Sequence, residues 1–191
     1  MTLQRRHLLT AALAAPLPTR ADDALAARLR TGGVVVAFRH ALAPGTFDPP
    51  GFQLGACGTQ RNLNDEGRAQ ARRIGAWFSG HGLVPARVRS SPWCRCIDTA
   101  QGAFGRAEPW PALGSPRAGT ESTNAQSLAA LRQALADVAR HPGRPARFEA
   151  WVTHMFVLND LVGAGTASGE GLVLQGSPDG RVVVLGRIVI P

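Results

Sequence analysis

Arginine and histidine side chains that could bind an anion follow three apolar segments of the sequence. The first segment ends in Arg39-His40 and the third ends in Thr153-His154. Between them, Arg89-Ser90-Ser91 leads to Arg95. Guanidinium groups match phosphate oxygens with paired hydrogen bonds, and four such cationic or imidazole groups would repel one another without an anion. This pattern favours a phosphate site, in which an imidazole nitrogen is available as a nucleophile.

The surrounding sequence predicts strands that alternate with helices. Val34–Phe38 is a continuous apolar run rich in β-branched residues, which is typical of a strand covered on both faces. Further strands are predicted at 86–90 and 148–153, with a terminal hairpin-like pair at 171–175 and 181–190. Helices are predicted at 22–30, from 64 to about 80, from Ser91-Pro92 to 104, and at 122–140 and 155–162. We therefore expect an α/β fold, a three-layer sandwich whose mainly parallel sheet carries helices on both faces.

This fold would bring the cationic residues together. Ligands of open α/β sheets bind at the carboxyl ends of the strands. The strands predicted before His40, Ser91 and His154 all deliver polar groups at that end. If these strands are parallel neighbours, Arg39, His40, Arg95 and His154 lie on one rim of the sheet.

Five motifs resemble those of the histidine phosphatase (phosphoglycerate mutase-like) superfamily. The run Val34 to Ala41 is similar to the strand and Arg-His-Gly signature of that family, with Ala41 in place of the glycine. The segment 62–71 resembles its Glu-Gly…Gln-Ala helix start, and 90–100 resembles its Ser-x-x-x-x-Arg-x-x-x-Thr-Ala block. Val152-Thr153-His154 fits the second histidine, and 169–174 resembles the final Gly-Glu and strands. The likeness covers roughly residues 32 to 190.

The resemblance implies a phosphatase that hydrolyses a phosphomonoester or phosphohistidine. His40 would be the nucleophile that becomes phosphorylated, and Arg39 and Arg95 would hold phosphate oxygens. His154 would stabilise the transferring phosphoryl group, and Met155 would narrow the wall of the substrate pocket. No metal or other cofactor is expected, because guanidinium groups supply the charge. The expected substrate is a phosphorylated small molecule or envelope sugar.

The carboxylic general acid is the weakest match to the family. Many members carry a glutamate after the arginine-bearing helix, whereas this chain reads Ala112-Leu113-Gly114-Ser115-Pro116 there. Glu121 is our catalytic candidate, and Asp48 and Glu170 are the other carboxylates considered. The missing acid also supports an alternative, a catalytically idle family member that only binds phosphorylated ligands.

Composition limits the other classes of function. The formal net charge is +8 over 191 residues, with 21 basic and 13 acidic residues, and all basic residues are arginine. No run of five or more basic residues is present, so nucleic acid is not the expected partner.

The N-terminal segment resembles an export signal. Arg5-Arg6 precede an apolar stretch from Leu8 to Leu17, which is too short to span a bilayer. We expect residues 1–21 to be a twin-arginine-like export signal and residues 22–191 to be one domain. The protein would be periplasmic or secreted, with no stable membrane insertion.

Three cysteines, Cys57, Cys94 and Cys96, leave an odd thiol. In an oxidising compartment a disulfide is favoured. Cys94 and Cys96 are two residues apart and would point to different sides of a helix. The expected bridge therefore joins Cys57 to Cys94 or to Cys96.

Overall fold

The computed structural model describes residues 20–116, 123–143 and 147–190. Its helices are α1 (Arg20–Arg30), α2 (Asp65–Gly80), α3 (Cys94–Phe104), α4 (Ala125–Arg140) and α5 (Met155–Val162). Its strands are β1 (Val35–Arg39), β2 (Arg87–Ser90), β3 (Glu108–Pro109), β4 (Glu149–Thr153), β5 (Gly171–Gly176) and β6 (Val182–Ile188). The alternation of strands and helices follows the sequence prediction.

The strands form one sheet in the order β3-β2-β4-β1-β5-β6. β3, β2, β4 and β1 run parallel to one another. The terminal pair β5 and β6 continues the sheet antiparallel, at the edge next to β1. The mainly parallel sheet is therefore confirmed, and it places β1, which carries Arg39, in its interior between β4 and β5.

Helices cover both faces of the sheet, as the apolar run in β1 predicts. Val36 and Phe38 point into a core that also contains Ile74 and Phe78 of α2. The alternate residues Val35 and Ala37 lie in a second core with residues of α4 and α5. Every residue from Val35 to Phe38 is fully buried. Successive side chains of a strand point to opposite faces, so one short segment stabilises both outer layers.

The start of α3 differs from the sequence prediction. We expected Ser91-Pro92 to begin this helix, but α3 begins at Cys94 after an extended Trp93. The physical reason is that the Ser91 N–H donates to the carbonyl oxygen of Val152 at 2.8 Å. This bond extends the pairing of β2 with β4 by one residue and keeps Ser91 out of the helix.

A disulfide joins the long loop between β1 and α2 to the first turn of α3. Cys57 and Cys94 are bonded, with Cα atoms 5.7 Å apart. Cys96 is free and buried. The predicted bridge is thus confirmed in its Cys57–Cys94 form, and it fixes the loop beside Arg95.

Residues 1–19 of the predicted export segment lie outside the described part of the chain. The first described element, α1, begins at Arg20, and its residues Ala26 and Leu29 are buried in the core. Among the described residues, no helix has the length and apolar character needed to cross a membrane.

Candidate active site

The carboxyl ends of β1, β4 and β2 meet at one edge of the sheet and place the predicted residues together. The His40 N–H donates to the Thr153 carbonyl oxygen at 2.9 Å, so the ladder between β1 and β4 continues to the histidine. His154 follows β4 directly, and the ring centroids of His40 and His154 lie 5.5 Å apart. The parallel pairing of β1 with β4 thus brings together two histidines that are far apart in the sequence.

A narrow cavity opens at this edge. Five of the six residues predicted for the site line it, and Arg61, Thr46, Ser115 and Phe156 contribute the rest of the wall; the five are Arg39, His40, Arg95, His154 and Met155. The sixth, Glu121, lies outside the described residues.

His40 is held in a form that leaves one ring nitrogen unprotonated. Its side chain is buried, and its Nδ1 lies 2.7 Å from the carbonyl oxygen of Ala41. Because a carbonyl oxygen can only accept, Nδ1 carries the proton and Nε2 keeps a lone pair. Burial, together with the guanidinium groups of Arg95, Arg61 and Arg39, lowers the pKa of His40 to about 3. The imidazole is therefore neutral at physiological pH and able to act as a nucleophile.

His154 is also buried and neutral, but both of its ring nitrogens are engaged. Arg95 Nη2 donates towards its Nδ1 at 3.4 Å, and its Nε2 lies 2.8 Å from the hydroxyl oxygen of Ser91. A guanidinium can only donate, so the proton of His154 is on Nε2 and is donated to Ser91. Burial, and secondarily the charge of Arg95, lowers the pKa of His154 well below its ordinary value.

The three guanidinium groups share one arrangement. In each, a terminal nitrogen is anchored: Arg39 Nη1 to the Thr166 carbonyl, Arg61 Nη1 to the Ala43 carbonyl, and Arg95 Nη1 to Asp48. The Nε atoms of Arg39, Arg61 and Arg95 are all buried and have no hydrogen-bond partner. Burial and the charge of Arg95 lower the pKa values of Arg39 and Arg61, the latter to about 10. A buried donor without a partner is costly, and each of these three arginines, which line the cavity, keeps one unfilled donor.

Asp48 is the carboxylate that neutralises Arg95. Its two oxygens accept from Arg95 Nη1 at 2.8 Å and from Nη2 at 3.2 Å. The Arg61 N–H and Trp93 Nε1 each donate to it at 3.0 Å. Partial burial tends to raise the pKa of Asp48, but the hydrogen bonds from Arg95, Arg61 and Trp93 keep it below its ordinary value. An ionised Asp48 cannot donate a proton, which removes it as a general-acid candidate.

Glu170, the other carboxylate considered, also has both of its oxygens bound to other groups of the protein. One of its oxygens accepts from the Ala167 N–H at 2.8 Å, and the other is paired with Arg187. The Arg39 N–H donates to the Glu170 carbonyl at 3.0 Å. Glu170 therefore caps the loop before β5 and, through its backbone, fixes the position of Arg39.

The motif residues outside the cavity orient the residues inside it. Thr99 lies one helical turn after Arg95, and its hydroxyl accepts from the Ala41 N–H at 3.0 Å and donates to the Arg95 carbonyl. Gln70 accepts from the Leu42 N–H and donates to the Ser168 carbonyl. A Cβ on Gly67 would lie 2.0 Å from the Leu42 carbonyl oxygen, so only glycine allows this approach. These three residues hold the chain that follows His40.

Sequence reasoning did not single out Arg61 or the role of Asp48. Both lie in the long loop between β1 and α2, where no periodic pattern indicates which side chains turn inwards. Arg61 could have been identified from its place in the sequence, because it directly precedes the Asn62-Leu63-Asn64 motif. Among the described residues, no group of three or more histidine, cysteine or acidic side chains is arranged to hold a metal ion.

The comparisons with known proteins agree with the fold and the motifs. Residues 52–119 match the model of the histidine phosphatase superfamily (branch 1). No curated protein sequence matches the chain.

Several solved structures share the fold at low sequence identity. The protein histidine phosphatase SixA complexed with tungstate is 18% identical, with a TM-score of 0.58 over 81% of this chain and 96% of that chain. A mycobacterial glucosyl-3-phosphoglycerate phosphatase complexed with VO3 is 16% identical, with a TM-score of 0.59 over 79% and 96%. A phosphoserine phosphatase mutant from Entamoeba histolytica with phosphoserine is 13% identical, with a TM-score of 0.58 over 81% and 95%.

The residues matched by the family model include the segment from Ser90 to Ala100, which carries Arg95 and Thr99. The six-stranded sheet with helices on both faces agrees with the solved relatives over most of their length. Over residues 52–119 the chain is therefore similar to the histidine phosphatase superfamily, and it shares the fold of the solved phosphatases.

Proposed function

We propose that the protein is a phosphatase that hydrolyses phosphomonoesters through a phosphohistidine formed on His40. The observation that carries this proposal is the set of three buried, unpartnered Nε donors around a neutral histidine. Three guanidinium groups and one ionised carboxylate leave an excess of positive charge at the cavity, which matches a phosphate dianion. The tungstate and VO3 in two structural relatives are oxyanions of the same kind.

The chemistry uses groups that are already in place. His40 Nε2 attacks phosphorus, the bond from phosphorus to the leaving oxygen breaks, and the leaving oxygen takes a proton. Water then attacks phosphohistidine, which releases inorganic phosphate and restores the imidazole. Arg39, Arg61 and Arg95 stabilise the charge on the equatorial oxygens in both steps. His154 supports the transferring phosphoryl group indirectly, because its Nδ1 accepts from Arg95 and its Nε2 is bonded to Ser91. Met155 narrows the cavity beside it.

The leaving oxygen receives its proton from Glu121 or from solvent in this proposal. Asp48 is ionised and paired with Arg95, and Glu170 is paired with Arg187. Glu121 therefore stays the predicted acid of the chain. Where the acid is weak or distant, phosphoesters with acidic leaving groups react fastest.

An idle member of the family that only binds phosphorylated ligands is the competing function. Pairing of Arg95 with Asp48 supports that reading, because all four terminal N–H groups of Arg95 then face protein acceptors. The free Nε2 of His40 favours catalysis, because phosphate binding alone has no need of an unprotonated nucleophile.

The proposed location is the periplasm or the extracellular space, with a phosphorylated small molecule or envelope sugar as substrate. The N-terminal Arg5-Arg6 and apolar stretch support an export signal over residues 1–21. The Cys57–Cys94 disulfide supports the same location, because disulfides persist in oxidising compartments.

The first prediction tests the nucleophile. His40→Ala abolishes turnover of a generic aryl phosphate, because no other described group of the cavity presents an unengaged nucleophilic nitrogen. Wild-type turnover is inhibited by vanadate and unaffected by chelator. Arg39→Ala lowers kcat/KM by about 100- to 1,000-fold, the usual effect of removing one preorganised donor.

The matched control is His141→Ala, which removes an exposed histidine at the end of α4 and leaves kcat/KM unchanged. Near-normal turnover by folded His40→Ala would contradict the mechanism. Tight phosphate binding by the wild type without turnover of any phosphoester would instead identify an idle binder.

The second prediction tests Asp48 as a positioning residue. Asp48→Asn removes the charge that holds Arg95 while preserving the side-chain size. We expect kcat to fall by about 10- to 100-fold through misplacement of Arg95. We also expect the free energy of unfolding to fall by about 3 kcal/mol, because a buried charge loses its partner. Steady-state kinetics and urea unfolding measure the two effects.

Asp65→Asn is the control for Asp48, since Asp65 also pairs with an arginine but its side chain is 99% exposed. An exposed pair contributes little, so both readouts should stay at the wild-type level. Wild-type kcat in Asp48→Asn would show that Arg95 needs no carboxylate.

The third prediction concerns export. Protein recovered from the periplasm should begin near residue 22 and should contain one reactive thiol under denaturing conditions, because Cys96 alone is reduced. Intact-mass analysis and thiol titration measure both. An intact N-terminus in all cell fractions, or three free thiols in periplasmic material, would overturn the export proposal.

A further inference from the structure

Two phenylalanine rings lie at the rim of the phosphate cavity, and neither is required by the proposed chemistry. Phe156 is in the first turn of α5, two residues after His154, and it lines the cavity. Phe47 stacks on it, with ring centroids 6.5 Å apart and an angle of 12° between the planes. Phe47 directly precedes Asp48, whose carboxylate holds Arg95, and it directly follows Thr46, which also lines the cavity.

Phe47 remains 67% exposed despite this stacking. A large exposed apolar side chain at the edge of a polar site is a feature of ligand-binding surfaces. The backbone next to this ring is anchored, because the neighbouring Asp48 has four hydrogen bonds to Arg95, Arg61 and Trp93. A phenylalanine side chain has only two χ angles, so a ring beside a phosphate cavity can contact the group that the phosphate carries at little cost in conformational entropy.

We infer that the substrate is a phosphate whose leaving group contains an aromatic ring, and that Phe47 is a specificity-determining residue that packs on this ring. This inference deepens the proposed function, on which it rests. The Phe47–Phe156 pair carries the chemical class, because it offers an aromatic surface beside a cavity that suits phosphate.

The test uses ligands that cannot be hydrolysed, so that ring recognition is measured apart from catalysis. Phenylphosphonate and methylphosphonate share the charged head and differ in the ring. Calorimetric titration of the full protein should show that phenylphosphonate binds more tightly. Phe47→Ala should weaken phenylphosphonate by roughly 3- to 10-fold, the range expected for one aromatic contact. The affinity for methylphosphonate should change by less than about twofold in the same variant.

Two further variants make the result specific. Phe47→Tyr keeps an aromatic face and should restore the preference for phenylphosphonate. Val84→Ala removes a more exposed apolar side chain, 79% exposed, which precedes β2 at the end of the sheet opposite the cavity. It should leave both affinities unchanged.

Each remaining outcome decides between the two proposals. Equal affinities of the wild type for both phosphonates, or an equal loss of both in Phe47→Ala, would overturn the ring inference. If the ring preference is present but the wild type hydrolyses no aryl phosphate, the specificity surface stands and the proposed catalytic function fails. If aryl phosphate is hydrolysed with no ring preference, catalysis stands and Phe47 has no role in selection.

Discussion

The ion pair between Asp48 and Arg95 is the interaction on which the arrangement of the cavity depends. Their side chains are 11% and 3% exposed, so the charges are largely removed from water. A buried ion pair is stable only where its geometry is good and where further hydrogen bonds satisfy the remaining donors and acceptors of both groups. Asp48 meets that condition, with both oxygens on Arg95 and further N–H donors from Arg61 and Trp93. Because Asp48 lies in the long loop after β1, the pair also fixes where that loop presents Arg61 and Phe47.

The disulfide supports the same contact covalently. It joins Cys57 of the loop to Cys94, the residue directly before Arg95, across 37 positions of sequence. Closing a loop of that length is valued at about 4 kcal/mol in the chain-entropy model. The Cys94 N–H also donates a hydrogen bond to Gln60 Oε1 at 3.0 Å. A loop with one short 3-10 turn as its regular structure is thereby tied to the start of α3.

The parts of the structure that the sequence predicts are those governed by periodicity and strand direction. The apolar run before Arg39 requires cover on both faces, and parallel pairing then places His40 beside His154. Arg95 and Thr99 are one helical turn apart, so the sequence also predicts that they lie on the same face of α3. Arg61 and the pairing of Asp48 with Arg95 were not predicted, because these contacts are made from a loop and loop side chains follow no repeating pattern. Glu121 and the export segment stay predictions, since both lie outside the described residues.

Direct detection of phosphohistidine is the most decisive measurement for this account. Wild-type protein is mixed with an excess of aryl phosphate, quenched in alkali within the first turnover, digested and analysed by mass spectrometry. We expect one added phosphoryl group, lost in acid and stable in alkali, on the peptide that contains His40. We expect no such group on the peptide that contains His154. Phosphorylation of His154, or steady turnover with no phosphorylated peptide at any quench time, would contradict the proposed mechanism.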